Sequence, residues 1–515
     1  MNIKTLFRGT AIVSLMVFLA KLISFFSETS LAFALGNGRE ADIYYSIVSI
    51  QQIIYPMISI GVWKIFLPEY KKKIVLKKEN ESNDLANRII TFFLIVSIGF
   101  VIILFLFSKQ VTTVIVPGFS KDLKIDVSNF LILTSPMYLF LGISTIYSAM
   151  LQARNKFFAS QLREIVVQVP VIIASLFLYK KYGLFSLGVA LIFGSFLRYI
   201  IELPFVDWNY NYKINNNFKD NDFLIFIKRL PSALLTASFT QIHTLIDKMI
   251  ASLLPSGSIS CLNYGSKVTT LILGLFSQAI NTAIYPTVAS LSAKKEIEKL
   301  STLINLTMTV ICFFVIPISF GCIAYNNEII YILFGRGAFT KNAVDLTGYI
   351  LAGYSIGLVF NAMLTTTNDI LYCNGKVSKT TEISMFSCFL TLITDVIVVK
   401  ILGAPGLALA TSVSNIFTFF IALKCVEKEV GIKVFRINSD FLKIVIASFI
   451  AVAMSKISYN LIDLDSIIVK LFLTTLIAIV LYIIIIIILK SKIIIIIIKS
   501  IIKGEKNEFN KRNKN

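Results

Sequence analysis

The chain has a single histidine, His243, and only two tryptophans. Acid is also scarce: 29 Asp and Glu stand against 49 Lys and Arg, and charged residues make up 15% of the total. One histidine provides neither a set of imidazoles for a transition metal nor a Ser/His/Asp arrangement. On an apolar run it reads first as a packing or hydrogen-bonding residue. Six cysteines (Cys261, Cys312, Cys322, Cys373, Cys388 and Cys425) lie in or beside apolar segments without any CxxC pair, and read as small buried hydrophobes. No GxxxxGK[ST] loop occurs, so ATP hydrolysis has no support. GNG (36–38) and GRG (335–337) are turn glycines, not nucleotide motifs. With soluble-enzyme chemistry missing, the expectation is a protein that is not an enzyme.

Hydrocarbon fills the space that charge leaves. Hydrophobic residues are 56% of the 515, and mean hydropathy is +0.80. The bilayer is the natural solvent for such a chain. A net charge of +20 would suit nucleic acid, but the charges sit in short loops between apolar runs, so no nucleic-acid partner is expected. A spanning helix needs about 20 mostly apolar residues. Fourteen runs qualify: 10–35, 41–68, 88–108, 127–153, 159–179, 183–205, 225–254, 260–289, 300–324, 343–372, 378–400, 404–425, 440–460 and 466–489. The first is too long for a signal peptide and lacks a small-residue cleavage site, so it reads as a retained helix. With the N-terminus inside, the inner loops (KKKIVLKK at 71–78, RNK at 154–156 and others) hold about thirty Lys and Arg against about ten outside, which predicts cytoplasmic N- and C-termini.

The chain also repeats itself at a nearly constant offset. FLPEY (66–70) echoes IYPTV (284–288), VPGFS (116–120) echoes FGRGAF (334–339), LQARNKF (151–157) echoes LYCNGKV (371–377), and YGLFSLGVAL (182–191) echoes LGAPGLALA (402–410). Because the offset spans six runs, both copies share one topology, and a pseudo-symmetry axis along the membrane normal follows. The expected fold is all-α and polytopic: a six-helix bundle (1–206), a cytoplasmic connection (207–224), a second six-helix bundle (225–426), a helix pair (427–489) and a basic tail (490–515). In that tail KSKIIIIIIKSIIK is expected to lie on the inner membrane surface.

Ionisable residues at membrane depth are costly and mark candidate sites. They are Lys21, Asp42, Asp247, Lys248, Lys267, Asp369 and Asp395. Some have bland explanations. Asp42 stands near the start of its run and could cap it, and Lys248 is close enough to an end to snorkel. Lys21 and Lys267 lie deeper and occupy comparable places in the two halves. Two ammonium groups facing one cavity would make a site for an anion, phosphate included. Asp247, Thr391, Asp395 and Thr411 offer hard oxygens near mid-run, with a backbone carbonyl near Pro405–Leu407. They suit an alkali cation or a proton, unless the hydroxyls merely bond their own backbone.

These residues resemble the MurJ/MviN family of lipid II flippases, in the superfamily that includes MATE exporters and polysaccharide flippases. AKLISFFSETSLAFALGNGREADIYY (20–45), the stretch from LIDKMIASLL to TVASLS (245–292) and YILFGRGAFT (331–340) carry the likeness. The resemblance implies translocation of an undecaprenyl-pyrophosphate-linked peptidoglycan precursor from the inner to the outer leaflet by alternating access. The membrane would be the bacterial cytoplasmic membrane, and the drive its potential or a cation gradient. It implies Lys21, Asp42 and Lys267 as substrate-binding residues, and a sodium site from Asp247, Thr391, Asp395, the Leu407 carbonyl and Thr411. It also implies a groove for the lipid tail in 440–489, with the lipid-linked glycan, membrane lipids and cell-wall synthesis machinery as partners. Ser27, Tyr55, Thr270 and Asp369 stand where the family carries other ionisable residues, three of them cations, so the cavity is expected to be less basic. A flippase for another lipid-linked polysaccharide, and less readily a MATE-like exporter, remain alternatives.

Overall fold

The structure, a computed structural model, describes residues 3–154, 156–206, 210, 212–434 and 439–491. The tail expected at 490–515 thus lies almost wholly outside the described residues, as do 207–209 and 211 of the connection. Among the described residues every regular element is helical. The principal helices are α1 (Ile3–Leu35), α2 (Arg39–Gly61), α3 (Glu79–Leu106), α4 (Lys121–Thr134), α5 (Met137–Ala153), α6 (Phe157–Val166), α7 (Leu184–Ile200), α8 (Asn221–Ala251), α9 (Ser258–Ile272), α10 (Ala279–Ala293), α11 (Ile297–Ala324), α12 (Asn326–Phe334), α13 (Lys341–Ile356), α14 (Leu358–Cys373), α15 (Val377–Leu402), α16 (Ala404–Val430), α17 (Ser439–Leu461) and α18 (Ile467–Ile488). A π-helical turn, Leu273–Gln278, joins α9 to α10, and another, Val62–Phe66, extends α2.

Ten of the expected runs appear as helices long and apolar enough to cross a bilayer, and the count reaches twelve if the bent pairs α4–α5 (46°) and α13–α14 (45°) are each one span. The other two runs, 41–68 and 225–254, are helical as α2 and α8, each with side chains outside the described residues. Both are rich in polar residues: Arg39, Glu40, Asp42, Gln51 and Gln52 on α2, and Lys228, Arg229, Gln241, His243, Asp247 and Lys248 on α8. Large apolar side chains face outward, as a lipid solvent demands: Ile95, Ile102 and Phe105 on α3, Phe472 and Ile479 on α18. Inside, hydroxyls return to their own helix, as Ser46 does to the Asp42 carbonyl (2.6 Å) and Thr145 to that of Leu141 (2.8 Å).

The sequence repeat is matched by the element order. The bent pair α4–α5 begins at Lys121 and ends at Ala153, and α13–α14 begins at Lys341 and ends at Cys373, so both ends shift by the same amount. Nearly the same shift relates the start of α3 at Glu79 to that of α11 at Ile297, and the start of α6 at Phe157 to that of α15 at Val377. The second bend has a visible cause. Ser412 Oγ accepts from Gly357 N (2.9 Å) and donates to the Gly353 carbonyl (2.6 Å), replacing bonds the helix would make for itself.

The chain divides into two compact units. The first comprises the described parts of Met1–Lys267 with Phe334–Val344 and Cys388–Leu407, and the second those of Val268–Leu333, Asp345–Ser387 and Ala408–Asn515. One apolar core of the first unit gathers Phe66, Tyr70, Leu85, Ile89, Phe93 and Tyr147. In the same unit the two glycine turns meet. Ala338 N donates to the Phe33 carbonyl (2.9 Å), with Gly36 at φ +60° and Gly337 at φ +65°. A Cβ on Gly36 would lie 2.3 Å from the Ala338 oxygen, and one on Gly337 2.3 Å from the Phe33 oxygen. The second unit has a core of Ile304, Met308, Ile311, Ala362, Phe419 and Ile444.

Candidate functional site

In the first unit α1, α2, α6, α7 and α9 enclose a polar cavity of about 200 Å³. Glu28, Gln51, Tyr55, Glu164, Arg198 and Lys267 are among its lining residues. At α9, Lys267 Nζ lies 2.7 Å from Glu28 Oε1 on α1. The other oxygen of Glu28 accepts from the Tyr45 hydroxyl (2.8 Å) and from Asn263 Nδ2 (3.3 Å). Lys21 stands two turns before Glu28, half-buried, and within electrostatic reach of Lys267 and Glu164. Among the described residues it makes no ion pair. The expected pair of lysines is therefore brought together, but one of them is already matched by a carboxylate.

Asp42 has a different occupation. Its Oδ2 accepts from Gly257 N (2.6 Å) and its Oδ1 from Ser260 N (3.0 Å). It is fully buried and caps α9, not its own helix. The carboxylate thereby positions the helix that carries Lys267. Lys248, expected to snorkel, is buried instead, with the charges of Asp247 and Asp42 in reach.

The cation-site residues are placed as follows. Asp247 on α8 and Asp395 on α15 face each other within hydrogen-bonding reach. Among the described residues no donor serves either oxygen of Asp395 or Oδ1 of Asp247, although these atoms are buried. His243 Nδ1 lies 3.6 Å from Asp247 Oδ2. Thr391, one turn before Asp395, is buried, and so is Leu407 near the start of α16. Those four belong to the first unit, whereas Thr411, half-buried one turn beyond Leu407, belongs to the second. Two facing carboxylates with orphaned oxygens fit a monovalent cation or a shared proton, because buried anions need a partner.

The second unit has an apolar cavity of about 530 Å³ between α11, α17 and α18. Phe313, Gly321, Val452, Ala478 and Ile483 line it, with Tyr325 among the few polar groups. Lys456 lies 4.6 Å from the centre of the Tyr325 ring and 2.6 Å from Glu328 Oε1, and Lys470 lies 4.5 Å from the Tyr459 ring. The helix pair expected at 427–489 thus contributes α17 and α18 to a wall suited to hydrocarbon.

The sequence model of the MurJ lipid II flippase family matches residues 31–464. The chain belongs to that family. Among MurJ relatives, a probable lipid II flippase of Buchnera aphidicola subsp. Baizongia pistaciae is 26% identical over 87% of this chain and 89% of its own. One from Thermotoga maritima is 25% identical over 84% and 88%. A solved structure described as lipid II flippase MurJ in an inward closed conformation superposes with a TM-score of 0.81 at 25% identity, covering 92% of this chain and 97% of that one. A MATE family transporter shares the fold at a TM-score of 0.64 and 11% identity. The chain is thus a multi-pass membrane protein of the MurJ type, and the resemblance to that family is borne out.

Sequence reasoning missed two parts of this MurJ cavity. Glu28 was passed over, although a residue seven positions after Lys21 lies on the same face of α1. The second part is a buried cluster at the α6–α7 end. Arg198 pairs with Glu164 Oε1, while Arg163 Nε lies 3.3 Å from the same oxygen and 3.8 Å from Glu202 Oε1. Ser144 donates to Glu202 (3.0 Å) and its carbonyl accepts from Arg163 (3.1 Å). The signal was available: Arg198 and Glu202 are four apart, and Arg163 and Glu164 adjacent, in runs otherwise apolar.

Proposed function

We propose that this protein carries lipid II across the membrane, its pyrophosphate in the polar cavity of the first unit and its polyprenyl tail in the apolar cavity of the second. The observation that carries the reading is the Glu28–Lys267–Lys21 arrangement inside a chain of the MurJ family. An anion entering beside Lys21 meets an ammonium without an ion pair, so its binding need not first break one. No covalent bond changes, and the protein works as a carrier and not as an enzyme. Fourteen spans arranged as six, six and two, with both termini inside and the inner membrane as site, complete the reading.

The drive belongs to the same proposal. Asp247 and Asp395, with Thr391 and the Leu407 carbonyl of the same unit, would hold one Na⁺ or H⁺ per cycle. One elementary charge moving down the potential is worth about 2.3 kcal/mol per 100 mV, enough to bias the return of an empty carrier. Association with cell-wall synthesis machinery is part of the expectation and has its own test in co-purification. The main experiment is lipid II translocation by the purified protein in proteoliposomes, with and without an imposed Na⁺ gradient. Translocation above protein-free vesicles supports the reading. Transport of another lipid-linked glycan in preference to lipid II replaces it.

A further inference from the structure

The cluster at the α6–α7 end of the cavity contains a cation arrangement that the lysines do not account for. Arg198 is 4% exposed and lines the same cavity as Lys267. Its guanidinium lies 4.5 Å from the centre of the Tyr55 ring and donates to the Tyr55 hydroxyl (3.1 Å). Arg163 donates to that hydroxyl as well (2.7 Å). Glu164 Oε1 is shared: Arg198 bonds it, Arg163 Nε lies 3.3 Å away, and the Tyr55 hydroxyl donates to it at 3.4 Å. One donor remains. Arg198 Nε is buried with no hydrogen-bond partner among the described residues. A buried N–H with nothing to bond is expensive, and beside a polar cavity it indicates room for an acceptor.

We propose that Arg198 is a binding group for the pyrophosphate of the lipid-linked substrate, and that Glu164 is the counter-ion the pyrophosphate displaces. This inference rests on the proposed function, whose substrate class it takes over. The chemistry is an exchange of one oxyanion for another on a planar guanidinium. A guanidinium matches a phosphate in two parallel bonds, and Tyr55 fixes its plane. Without substrate, Glu164 spares the protein an uncompensated buried charge. When displaced, Glu164 keeps Arg163 as a partner and has Lys21 within electrostatic reach. Arg163 itself stays anchored by the Ser144 carbonyl and Glu202. An exchange of partners nets less than filling an empty cationic hole, which suits a carrier that must also let go.

Position along the helices adds a second point. Lys267 lies about 14 Å from the start of α9, and Glu164 about 10 Å from the start of α6, at 1.5 Å per residue. In the proposed topology those starts are at opposite faces of the membrane, so the cavity carries one latched cation toward each face. Arg198–Glu164 is the station toward the inner face and Lys267–Glu28 the one toward the outer.

The test uses the full-length protein in nanodiscs, with binding of lipid II and of inorganic pyrophosphate measured directly. In Arg198→Lys both affinities should fall about tenfold, the loss of one charge-assisted hydrogen bond, with undecaprenyl monophosphate affected less. In Glu164→Gln the latch is weakened, so both affinities should rise several-fold while turnover slows. Unchanged binding of both probes in either folded variant, with only the melting temperature lowered, overturns the inference: Arg198 is then a strut between helices. If wild type binds pyrophosphate through Arg198 but does not bind lipid II, the inference stands as an anion site and the substrate reading falls. If Arg198→Lys does not fold, the rise expected in Glu164→Gln decides alone.

Discussion

Lys21 and Lys267 differ in their partners. Lys267 Nζ sits 2.7 Å from Glu28 Oε1, whereas Lys21, among the described residues, has no ion pair. Replacing either member of the Glu28–Lys267 pair strands the other in a mostly buried setting, which costs about 3–5 kcal/mol when burial is complete and less here, since Lys267 keeps 26% exposure. Lys267→Met and Glu28→Gln should each lower the melting temperature in detergent, and the double variant should recover part of the loss. Lys21→Ala should leave the melting temperature within a degree or two of wild type yet abolish lipid II translocation, while Lys21→Arg should be tolerated. Translocation at the wild-type rate in Lys21→Ala would falsify the assignment of that ammonium to substrate. Asp42 divides the other way, because both its oxygens are taken by the N-terminus of α9. Asp42→Ala should cost about 1–2 kcal/mol of stability, and Asp42→Asn, which keeps one acceptor, visibly less in the same thermal assay.

At the level of elements, the turn glycines hold the most constrained backbone. Gly337 has φ +65°, and a Cβ there would meet the Phe33 carbonyl at 2.3 Å. Gly337→Ala combines a strained dihedral with a backbone clash, and should destabilise by at least about 1 kcal/mol. A Gly375→Ala control also sits at positive φ (+72°) but has nothing within 4 Å of the added carbon, so it separates the dihedral cost from the clash. Equal melting temperatures for the two variants would show that the contact between the GNG and GRG turns is dispensable. The sequence announced both turns as glycine punctuation but could not show that they touch, because Phe33 and Ala338 stand in opposite halves of the chain. The same limit hid the role of Asp42. Its position near the start of α2 suggested a cap, and the cap is real, but the helix it serves begins only at Ser258. Apolar periodicity reports each helix alone, and it located all the expected runs. It does not report which polar residues of different helices meet, among them the cavity glutamines of α2 and Asp247 of α8. Arg163 and Arg198 were overlooked for a related reason. They lie near run ends, where basic residues usually mean snorkelling, and only the packing of α6 against α7 shows them buried.

For the whole molecule, the proposed function separates a head-group site from a tail site, and each can be disabled without touching the other. Gly321 on α11 lines the apolar cavity, and an added Cβ there would meet nothing within 4 Å. Gly321→Phe therefore places a ring in a space of about 530 Å³ without displacing backbone, and the protein should fold with its melting temperature nearly unchanged. If the polyprenyl chain occupies that cavity, the variant should bind long-tailed lipid II more weakly while binding a short-tailed analogue or inorganic pyrophosphate as wild type does. Lys21→Ala should show the converse, weakening all three ligands alike, because it removes an interaction with the shared phosphate. The two variants then predict a crossed pattern in one binding assay. If Gly321→Phe leaves the preference for long tails intact, the hydrocarbon lies elsewhere, and the cavity is a packing defect exposed to lipid. Coupling adds a third independent column to the comparison. If the orphaned oxygens of Asp247 and Asp395 hold the coupling ion proposed above, Asp247→Asn and Asp395→Asn should keep both binding preferences and lose only the acceleration of lipid II translocation by an imposed cation gradient.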